Sequence, residues 1–228
     1  MKPSTTVSAE EALSPERVEW SYDRWAAVYG VWAAITESRA HQLAFEAAEP
    51  AAGQSVLEVA VGTGELFARL AGTTGLSRCI GTDLSGGMLR RARHRLKSAG
   101  RPGALCRSGA RYLPFASATF DLVVNSYMLD LLSEANISAV LAEFHRTLKD
   151  GGKLVLLYMA EQNPIVNRLW MWLFRHAPTL VGGCRPVAVR TLLRDDIWRI
   201  ETQERISQNG FRSELIVARA LTIGEGTK

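Results

Sequence analysis

The sequence predicts an α/β fold in which a seven-stranded, mostly parallel sheet carries helices on both faces and ends in an antiparallel hairpin. After Gly53, short β-rich runs alternate with stretches of helical spacing, which is typical of a parallel sheet. Near the end of the chain, two β-like runs flank Asn209-Gly210, a strong hairpin signal. With 47% hydrophobic and 22% charged residues among 228, the composition favours one soluble globular domain spanning 1–228.

A helical cap is expected before the sheet. Residues 1–15 are rich in Ser, Thr, Ala and Glu and predict a mobile lead that ends at Ser14-Pro15, where a helix can start. A second helix is expected from Ser38 to Glu49, because Pro50 cannot continue it. Residues 16–50 therefore form the cap, whose first helix is marked by apolar side chains at helical spacing: Val18, Tyr22, Trp25, Tyr29 and Trp32.

The sheet core is expected over residues 53–160. Five strands follow in order, at 55–59, 79–82, 104–106, 120–125 and 153–158. The helices between them are expected at 65–70, 88–97 and from about Ile137 to Leu148, with Gly151-Gly152 closing the last one. On the helix over 88–97, Leu89, Ala92 and Leu96 should face inward and its arginines should face solvent.

The tail departs from this alternation. Residues 161–195 form an insertion dense in apolar and aromatic side chains, and residues 196–220 form the terminal hairpin, with strands at 197–207 and 213–219. The sequence carries no signal for the oligomeric state.

Cysteine and charge content exclude several classes of protein. The three cysteines, Cys79, Cys106 and Cys184, are scattered without a C-x-x-C pair, which argues against a disulfide framework and a zinc site, so no metal is expected. The N-terminus lacks the apolar run of a signal peptide and no segment approaches about 20 apolar residues, so a cytoplasmic protein is expected. A net charge of +4 favours an anionic membrane surface without requiring one.

A glycine-rich turn follows the first strand. Gly62 and Gly64 allow the backbone to turn sharply and approach a ligand, and Asp83 ends the second strand where a nucleotide ribose acceptor would lie. The dinucleotide fingerprint G-x-G-x-x-G is not met because Phe67 occupies the third position, and the absence of G-K-S/T excludes a P-loop.

Four motifs in this order and spacing resemble the class I S-adenosylmethionine-dependent methyltransferases, and the resemblance covers nearly the whole chain. They are V-L-E-V-A-V-G-T-G-E at 56–65, G-T-D-L-S-G-G-M-L at 81–89, L-P-F-A-S-A-T-F-D-L-V-V at 113–124 and L-A-E-F-H-R-T-L-K-D-G-G-K-L-V-L at 141–156. The segment Y-D-R-W-A-A-V-Y at 22–29 is similar to the N-terminal motif of the UbiE-type subgroup of quinone C-methyltransferases and phosphatidylethanolamine N-methyltransferases. The resemblance implies a Rossmann-like fold, S-adenosylmethionine as cofactor and S-adenosylhomocysteine as product.

The resemblance also implies roles for individual residues. Glu58 would hold the methionine ammonium, Asp83 would accept bonds from both ribose hydroxyls, and Asn125 would face the methyl-transfer site. Any one of these residues could instead cap a helix or fill the core, but their joint placement at strand ends favours cofactor binding. The full set of implied cofactor-binding residues is Tyr22, Glu58, Gly62, Gly64, Asp83, Leu84, Met88, Ser108, Gly109, Ala110 and Asn125.

One position departs from the family pattern. Gly109 stands where the family usually has an acidic residue that binds the adenine amino group. We expect backbone groups or Ser108 to recognise adenine instead, or a lower affinity for the cofactor.

The acceptor is expected to be small and lipophilic. The N/D-P-P-Y/F and Pro-Cys motifs of nucleic-acid methyltransferases are absent, so no nucleic-acid partner is expected. Trp25, Trp170 and Arg185 are candidates to line the acceptor pocket, with a quinol-like or phenolic acceptor first and peripheral contact with a membrane as a further possibility. Phospholipid headgroup N-methylation and a catalytically silent binding module remain as alternatives.

Candidates for a catalytic base are scattered along the chain. His94 and His145 are expected on helix faces directed to solvent and are set aside. The remaining candidates are Tyr29, His41, Tyr127 and Asp130.

Overall fold

The computed structural model describes residues 38–160, 168, 172, 176, 184–208 and 211–222. The predicted lead, the first cap helix, most of the insertion and the Asn209-Gly210 turn lie outside these residues. Within them, no helix is both long and apolar enough to cross a bilayer.

Helices and strands alternate through the core as the hydrophobic pattern predicts. The helices are α1 (Ser38–Ala48), α2 (Glu65–Leu70), α3 (Gly86–Ser98) and α4 (Glu134–Thr147), with short 3₁₀ turns at Leu129–Leu131 and Val189–Leu192. The strands are β1 (Ser55–Val59), β2 (Arg78–Asp83), β3 (Ala104–Arg107), β4 (Phe120–Ser126), β5 (Leu148–Met159), β6 (Trp198–Gln208) and β7 (Phe211–Ala220).

The seven strands form one sheet in the order β3-β2-β1-β4-β5-β7-β6. Strands β1 to β5 are parallel, whereas β7 runs antiparallel to both β5 and β6. The predicted mostly parallel sheet with an antiparallel terminal hairpin is therefore confirmed. Strand order reverses between β1 and β4, which is where ligands bind in open α/β sheets.

Helices cover both faces of the sheet because successive strand residues point to opposite sides. Val56 of β1 and Val124 of β4 pack with α1 and α2, whereas Leu57 and Val123 pack with α4. On α3, the predicted inward residues Leu89, Ala92 and Leu96 are buried and its arginines are exposed.

The structure corrects the predicted junction between α4 and β5. The helix starts at Glu134 because the Ser133 side chain caps it, and it ends at Thr147. Leu148 is already extended and begins β5, so Gly151 and Gly152 lie within the strand rather than closing the helix. A register shift occurs there, from Phe120 opposite Leu148 to Leu122 opposite Lys153, and the positive φ of 69° at Gly151 accommodates this irregularity.

A second correction concerns His145, which was expected to face solvent. It is half-buried, with Nε2 2.9 Å from the Leu221 carbonyl oxygen and its ring edge-on to Trp198. The terminal hairpin packs against this end of α4, a contact that helical spacing alone does not reveal.

Candidate functional site

The turn after β1 brings backbone groups to the carboxyl edge of the sheet. The Val61 N–H donates to the Thr82 carbonyl at 2.9 Å, which fixes the turn on the end of β2. Gly64 has φ 79°, and a Cβ there would lie 2.8 Å from the Cα of Ala92, so α3 approaches too closely for a side chain. A Cβ on Gly62 would meet nothing within 4 Å, so this part of the turn is open to a ligand.

The carboxylate of Asp83 links the ends of β1 and β2. Its Oδ2 accepts from the Gly62 N–H at 2.9 Å, and its Oδ1 accepts from the Ser85 N–H at 2.8 Å. A carboxylate can accept about four hydrogen bonds, so these two are compatible with further donors such as ribose hydroxyls.

Glu58 lies in the centre of the sheet with an unsatisfied carboxyl oxygen. Its side chain is 1% exposed, and Oε2 has no hydrogen-bond partner among the described residues. Burial, and then the charge of Asp83, raise the pKa of Glu58 well above its ordinary value. A cationic group such as an ammonium at this position would favour the ionised form and satisfy the oxygen.

Asn125 adds a second unsatisfied acceptor at the end of β4. Its Nδ2 donates to the Val59 carbonyl at 2.8 Å, which fixes the amide, while the buried Oδ1 has no partner in the described part of the chain. The buried Thr82 hydroxyl, which the sequence analysis did not single out, also lacks a partner there. Unpaired buried polar atoms are costly, so their concentration near one edge indicates a ligand site.

Next to Asp83, the loop after β3 forms the side of the site where adenine is expected. The Ser108 hydroxyl lies 3.2 Å from the Gly109 carbonyl oxygen and 3.1 Å from that of Tyr112, so its proton is used within the loop. A Cβ on Gly109 would reach Leu84, which is 36% exposed. Ala110 is half-buried, and Met88 is 3% exposed in the core, so its side chain contributes little to the open surface.

Two of the candidate catalytic residues lie together. The rings of His41 on α1 and Tyr127 after β4 are in edge contact, with centroids 5.6 Å apart. The buried Nδ1 of His41 has no partner within the described residues, and burial lowers the pKa of His41 to about 4. The Tyr127 hydroxyl lies 2.7 Å from Oγ of Ser213, and Tyr127 adopts a left-handed φ of 49°, which is uncommon for a bulky residue and is often found at functional sites.

A second pair joins Asp130 to Arg185. The Arg185 N–H donates to the Asp130 carbonyl at 3.0 Å, and its guanidinium donates to the Leu132 carbonyl at 2.7 Å. The carboxyl group of Asp130 is fully buried, and this burial raises its pKa to about 7. The other sequence candidates, Tyr22, Trp25, Tyr29 and Trp170, lie outside the described residues.

Sequence reasoning missed Ser213. It belongs to β7 and reaches Tyr127 because β7 runs antiparallel to β5, with Ser213 opposite Met159. The hairpin signal predicted this strand, but no sequence signal specified its register against β5.

Comparisons with known proteins identify the family that the chain resembles. A family model described as a methyltransferase domain matches residues 56–152. A ubiquinone/menaquinone biosynthesis C-methyltransferase UbiE of Desulfotalea psychrophila is 39% identical over 60% of this chain and 54% of the relative. The protein of the same name from Cupriavidus necator is 31% identical over 78% of this chain and 76% of the relative.

A comparison with solved structures shows likeness of fold. A solved S-adenosylmethionine-dependent methyltransferase of Methanosarcina mazei superposes with a TM-score of 0.63 at 21% identity, covering 75% of this chain and 94% of that one. The chain spans about half the length of the first curated relatives it matches, with shares of 54%, 53% and 46%.

Proposed function

This chain belongs to the class I S-adenosylmethionine-dependent methyltransferases, among their UbiE-like members, and from that premise we propose that it methylates a small to medium lipophilic acceptor. The first candidate is a quinol-like or phenolic ring, methylated on a ring carbon or a hydroxyl. The observation that carries the cofactor-dependent part of the proposal is the group of buried acceptor oxygens of Glu58 and Asn125, which have no partner among the described residues and lie beside the open glycine turn.

S-adenosylmethionine is the cofactor of this family, and the residues at the strand ends fit it. The unsatisfied Glu58 oxygen suits the methionine ammonium, and Asp83 suits the ribose hydroxyls. The open backbone at Gly62 suits close approach of the cofactor. Leu84, Ser108, Gly109 and Ala110 would surround the base, with no acidic side chain at Gly109 to bind its amino group.

The main task of the chain is to orient the reactants and exclude water. When bound, S-adenosylmethionine supplies a methyl group that its sulfonium activates for in-line displacement. Asn125 is fixed by its bond to Val59 and would present Oδ1 to the transfer site. Tyr127 is fixed by its backbone bond to Leu157 and its hydroxyl contact with Ser213, so its ring would form a rigid wall.

The described candidates differ as proton acceptors. A group with a pKa of about 4, as at His41, holds a proton weakly at neutral pH, so His41 would accept a hydrogen bond from the acceptor rather than remove its proton. Asp130, with a pKa of about 7, is better matched to proton uptake at neutral pH.

Three observations support a lipophilic acceptor near an anionic surface. The matched relatives are named as quinone-biosynthesis C-methyltransferases, and quinones are lipophilic rings. Trp172 in the insertion is 55% exposed and stacks on His176. The exposed basic face of α3 would suit peripheral contact with an anionic membrane: Arg90, Arg91, Arg93, His94, Arg95 and Lys97.

The test begins with binding of S-adenosylhomocysteine, measured by calorimetry. Cofactor labelled in its methyl group is then incubated with a panel of quinols, phenols, thiols and phospholipids. We expect binding and label transfer to a quinol or phenol. Transfer to a phospholipid headgroup would replace the proposed acceptor, and absence of cofactor binding would overturn the proposed activity in favour of a silent binding module.

A further inference from the structure

The loop of residues 108–112 follows β3 and lies beside the end of β2. Asp83, the last residue of β2, is opposite Arg107, the last residue of β3, and the Ser108 N–H donates to the Asp83 carbonyl at 3.1 Å. Glu58 of β1 and Asp83 of β2 are the proposed contacts of the methionine ammonium and the ribose. Since the strand order is β3-β2-β1, the base of the same cofactor is expected beside this loop.

The loop leaves room for a flat ring. Among the described residues, a Cβ on Gly109 would meet nothing closer than Cδ1 of Leu84, at 4.0 Å, which is an ordinary contact distance. The Leu84 side chain is 36% exposed, although it is large and apolar. An exposed apolar side chain next to a residue that has no side chain suits the face of a purine.

The side chains of this part of the chain favour donation over acceptance. Residues 107–112 contain no carboxylate and no carboxamide. Arg107 and Arg111, which flank the loop, are exposed and can only donate hydrogen bonds. The Ser108 hydroxyl is held within the loop, 3.2 Å from the Gly109 carbonyl oxygen and 3.1 Å from that of Tyr112.

Backbone oxygens near Gly109 are already in use. The Gly109 carbonyl accepts from the Tyr112 N–H at 3.3 Å, in addition to its contact with the Ser108 hydroxyl. The Leu84 carbonyl accepts from Nε of Arg107 at 2.9 Å. These bonds fix the loop and reduce its capacity to accept further hydrogen bonds from a ligand.

The carboxylate at the end of this loop is also occupied. Glu143 of α4 accepts from the Leu113 N–H at 2.7 Å. The Arg146 guanidinium donates to both oxygens of Glu143, each at 2.7 Å. A carboxylate that holds three such hydrogen bonds has little capacity left for the amino group of a base.

We propose that this loop binds the base of the cofactor without selecting its 6-amino group, so that the chain accepts a 6-oxopurine in place of adenine. The inference rests on the proposed function, because the proposed ribose and methionine contacts place the base. Adenine donates from its 6-amino group, whereas the 6-oxo oxygen of hypoxanthine accepts. A site rejects one of two such analogues strongly only when a fixed partner is left unpaired by it, and among the described residues the loop holds no such partner for the amino group.

Gly109 is the residue that determines this tolerance. Its φ is not positive, and an added Cβ would make only an ordinary contact with Leu84, so an aspartate fits here. A carboxylate at this position would accept a charge-assisted hydrogen bond from a 6-amino group and repel a 6-oxo oxygen. Gly109→Asp should therefore create a preference for adenine that the unmodified chain lacks.

The test compares S-adenosylhomocysteine with S-inosylhomocysteine, its 6-oxo analogue, by calorimetric titration of the full chain. In the unmodified chain, S-inosylhomocysteine should bind no more than about threefold more weakly than S-adenosylhomocysteine. In Gly109→Asp, this difference in affinity should grow to at least about tenfold in favour of S-adenosylhomocysteine. Affinity is measured directly, so the result does not depend on the methyl acceptor.

Two control variants isolate the effect of a carboxylate at Gly109. Gly109→Ala adds a side chain without charge. Gly86→Asp adds a carboxylate at a nearby glycine whose Cβ would also make only an ordinary contact, 3.6 Å from Arg90. Both controls should keep the small difference in affinity of the unmodified chain. Circular dichroism confirms that each variant folds, and Gly109→Glu is used if Gly109→Asp does not fold.

Each outcome supports or overturns the inference. A preference of the unmodified chain for S-adenosylhomocysteine that exceeds threefold overturns it, because some group of the chain would then select the amino group. An unchanged preference in folded Gly109→Asp also overturns it, because the base would then not lie at Gly109. Both results leave the proposed function intact, whereas failure of either nucleoside to bind any of these proteins would overturn the proposed function and this inference with it.

Discussion

The ring of His41 stands nearly perpendicular to the ring of Tyr127, at an interplanar angle of 72°. His41 comes from the first described helix and Tyr127 from the end of β4, so this contact joins the helical cap to the centre of the sheet. It places a neutral imidazole with an unpartnered nitrogen beside a backbone held in a left-handed conformation. Both features are costly to the fold, which is typical of residues kept for function.

The buried imidazole should make stability depend on pH. Between its ordinary pKa of 6.5 and the value of about 4 in the folded protein, the unfolded chain binds more protons at His41 than the folded protein does. The free energy of unfolding should therefore fall as the pH falls through this window, by on the order of 3 kcal/mol from this residue. In urea unfolding, the free energy of unfolding of His41→Gln should depend less on pH than that of the unmodified chain. His94→Gln, which changes an exposed histidine, should show the same pH dependence as the unmodified chain. If the free energy of unfolding changed with pH by the same amount in the unmodified chain and both variants, His41 would not be buried as described.

Loss of the Asp83 carboxylate should weaken cofactor binding. Asp83→Ala removes the acceptor expected for the ribose hydroxyls and also frees the Gly62 N–H from the turn. Charge-assisted hydrogen bonds worth about 1.5–3 kcal/mol in total correspond to a loss of roughly 10- to 150-fold in affinity for S-adenosylhomocysteine. Calorimetric titration measures the affinity for S-adenosylhomocysteine, and Asp196→Ala, which removes an exposed aspartate, is the control. Unchanged affinity in Asp83→Ala would mean that the ribose is held elsewhere.

Glu58 should make the cofactor-free protein less stable as the pH rises. Its pKa is raised in the folded state, so the stabilisation it gives is complete below the ordinary value of 4.5 and is lost as the pH rises toward the folded value. Relative to the unmodified chain, Glu58→Gln should become progressively more stable at higher pH, whereas the exposed Glu204→Gln should not. Chemical unfolding at a series of pH values above 4.5 measures the difference in the free energy of unfolding between each variant and the unmodified chain.

S-adenosylhomocysteine should reduce the difference in stability between Glu58→Gln and the unmodified chain. An ammonium bound beside Glu58 stabilises its ionised form, so S-adenosylhomocysteine should raise the stability of the unmodified chain more than that of Glu58→Gln. An equal increase in stability in the unmodified chain and in Glu58→Gln would argue against contact between Glu58 and the ammonium.

Close packing at the turn should make Gly64 sensitive to substitution. Gly64→Ala combines a left-handed φ, costing about 1–2 kcal/mol, with overlap against Ala92, costing about 1–3 kcal/mol more. Gly53→Ala is the matched control, since Gly53 has φ 82° but open space around its Cβ position, so only the first cost applies. The midpoint temperature of thermal unfolding should be lower for Gly64→Ala than for Gly53→Ala. The reverse order would contradict the close packing of Gly64 against Ala92.

Much of the fold was predictable because its signals are local. The run Phe120–Ser126 is apolar enough to form a central strand. The helix starts were predicted two to three residues late, because the capping side chains of Ser85 and Ser133 were not used as signals. The position of the proposed cofactor residues at one edge of the sheet was predictable for a related reason. Parallel strands end at one edge, so Glu58 and Asp83 had to lie close together once the strands were recognised.

The contacts that the sequence did not predict depend on the register between segments that are distant in sequence. The contact of Tyr127 with Ser213 requires β7 to pair with β5 in one particular register, and the contact of His145 with Leu221 requires the hairpin to return to α4. Asp130 was a candidate by position, but its carboxyl oxygens have no hydrogen-bond partner among the described residues, and helical or strand periodicity carries no information about such packing.

The bond from the Asn125 amide to the Val59 carbonyl joins residues 66 positions apart in sequence. A closure of that length carries an entropic cost, so we expect the central pair β1–β4 to form after the contacts between local neighbours. During synthesis, β1 and β2 emerge before β4 exists, and a nascent chain ending before residue 120 has the glycine turn but lacks Asn125 and Tyr127. Assembly of the complete site therefore marks the moment at which the two halves of the sheet have joined.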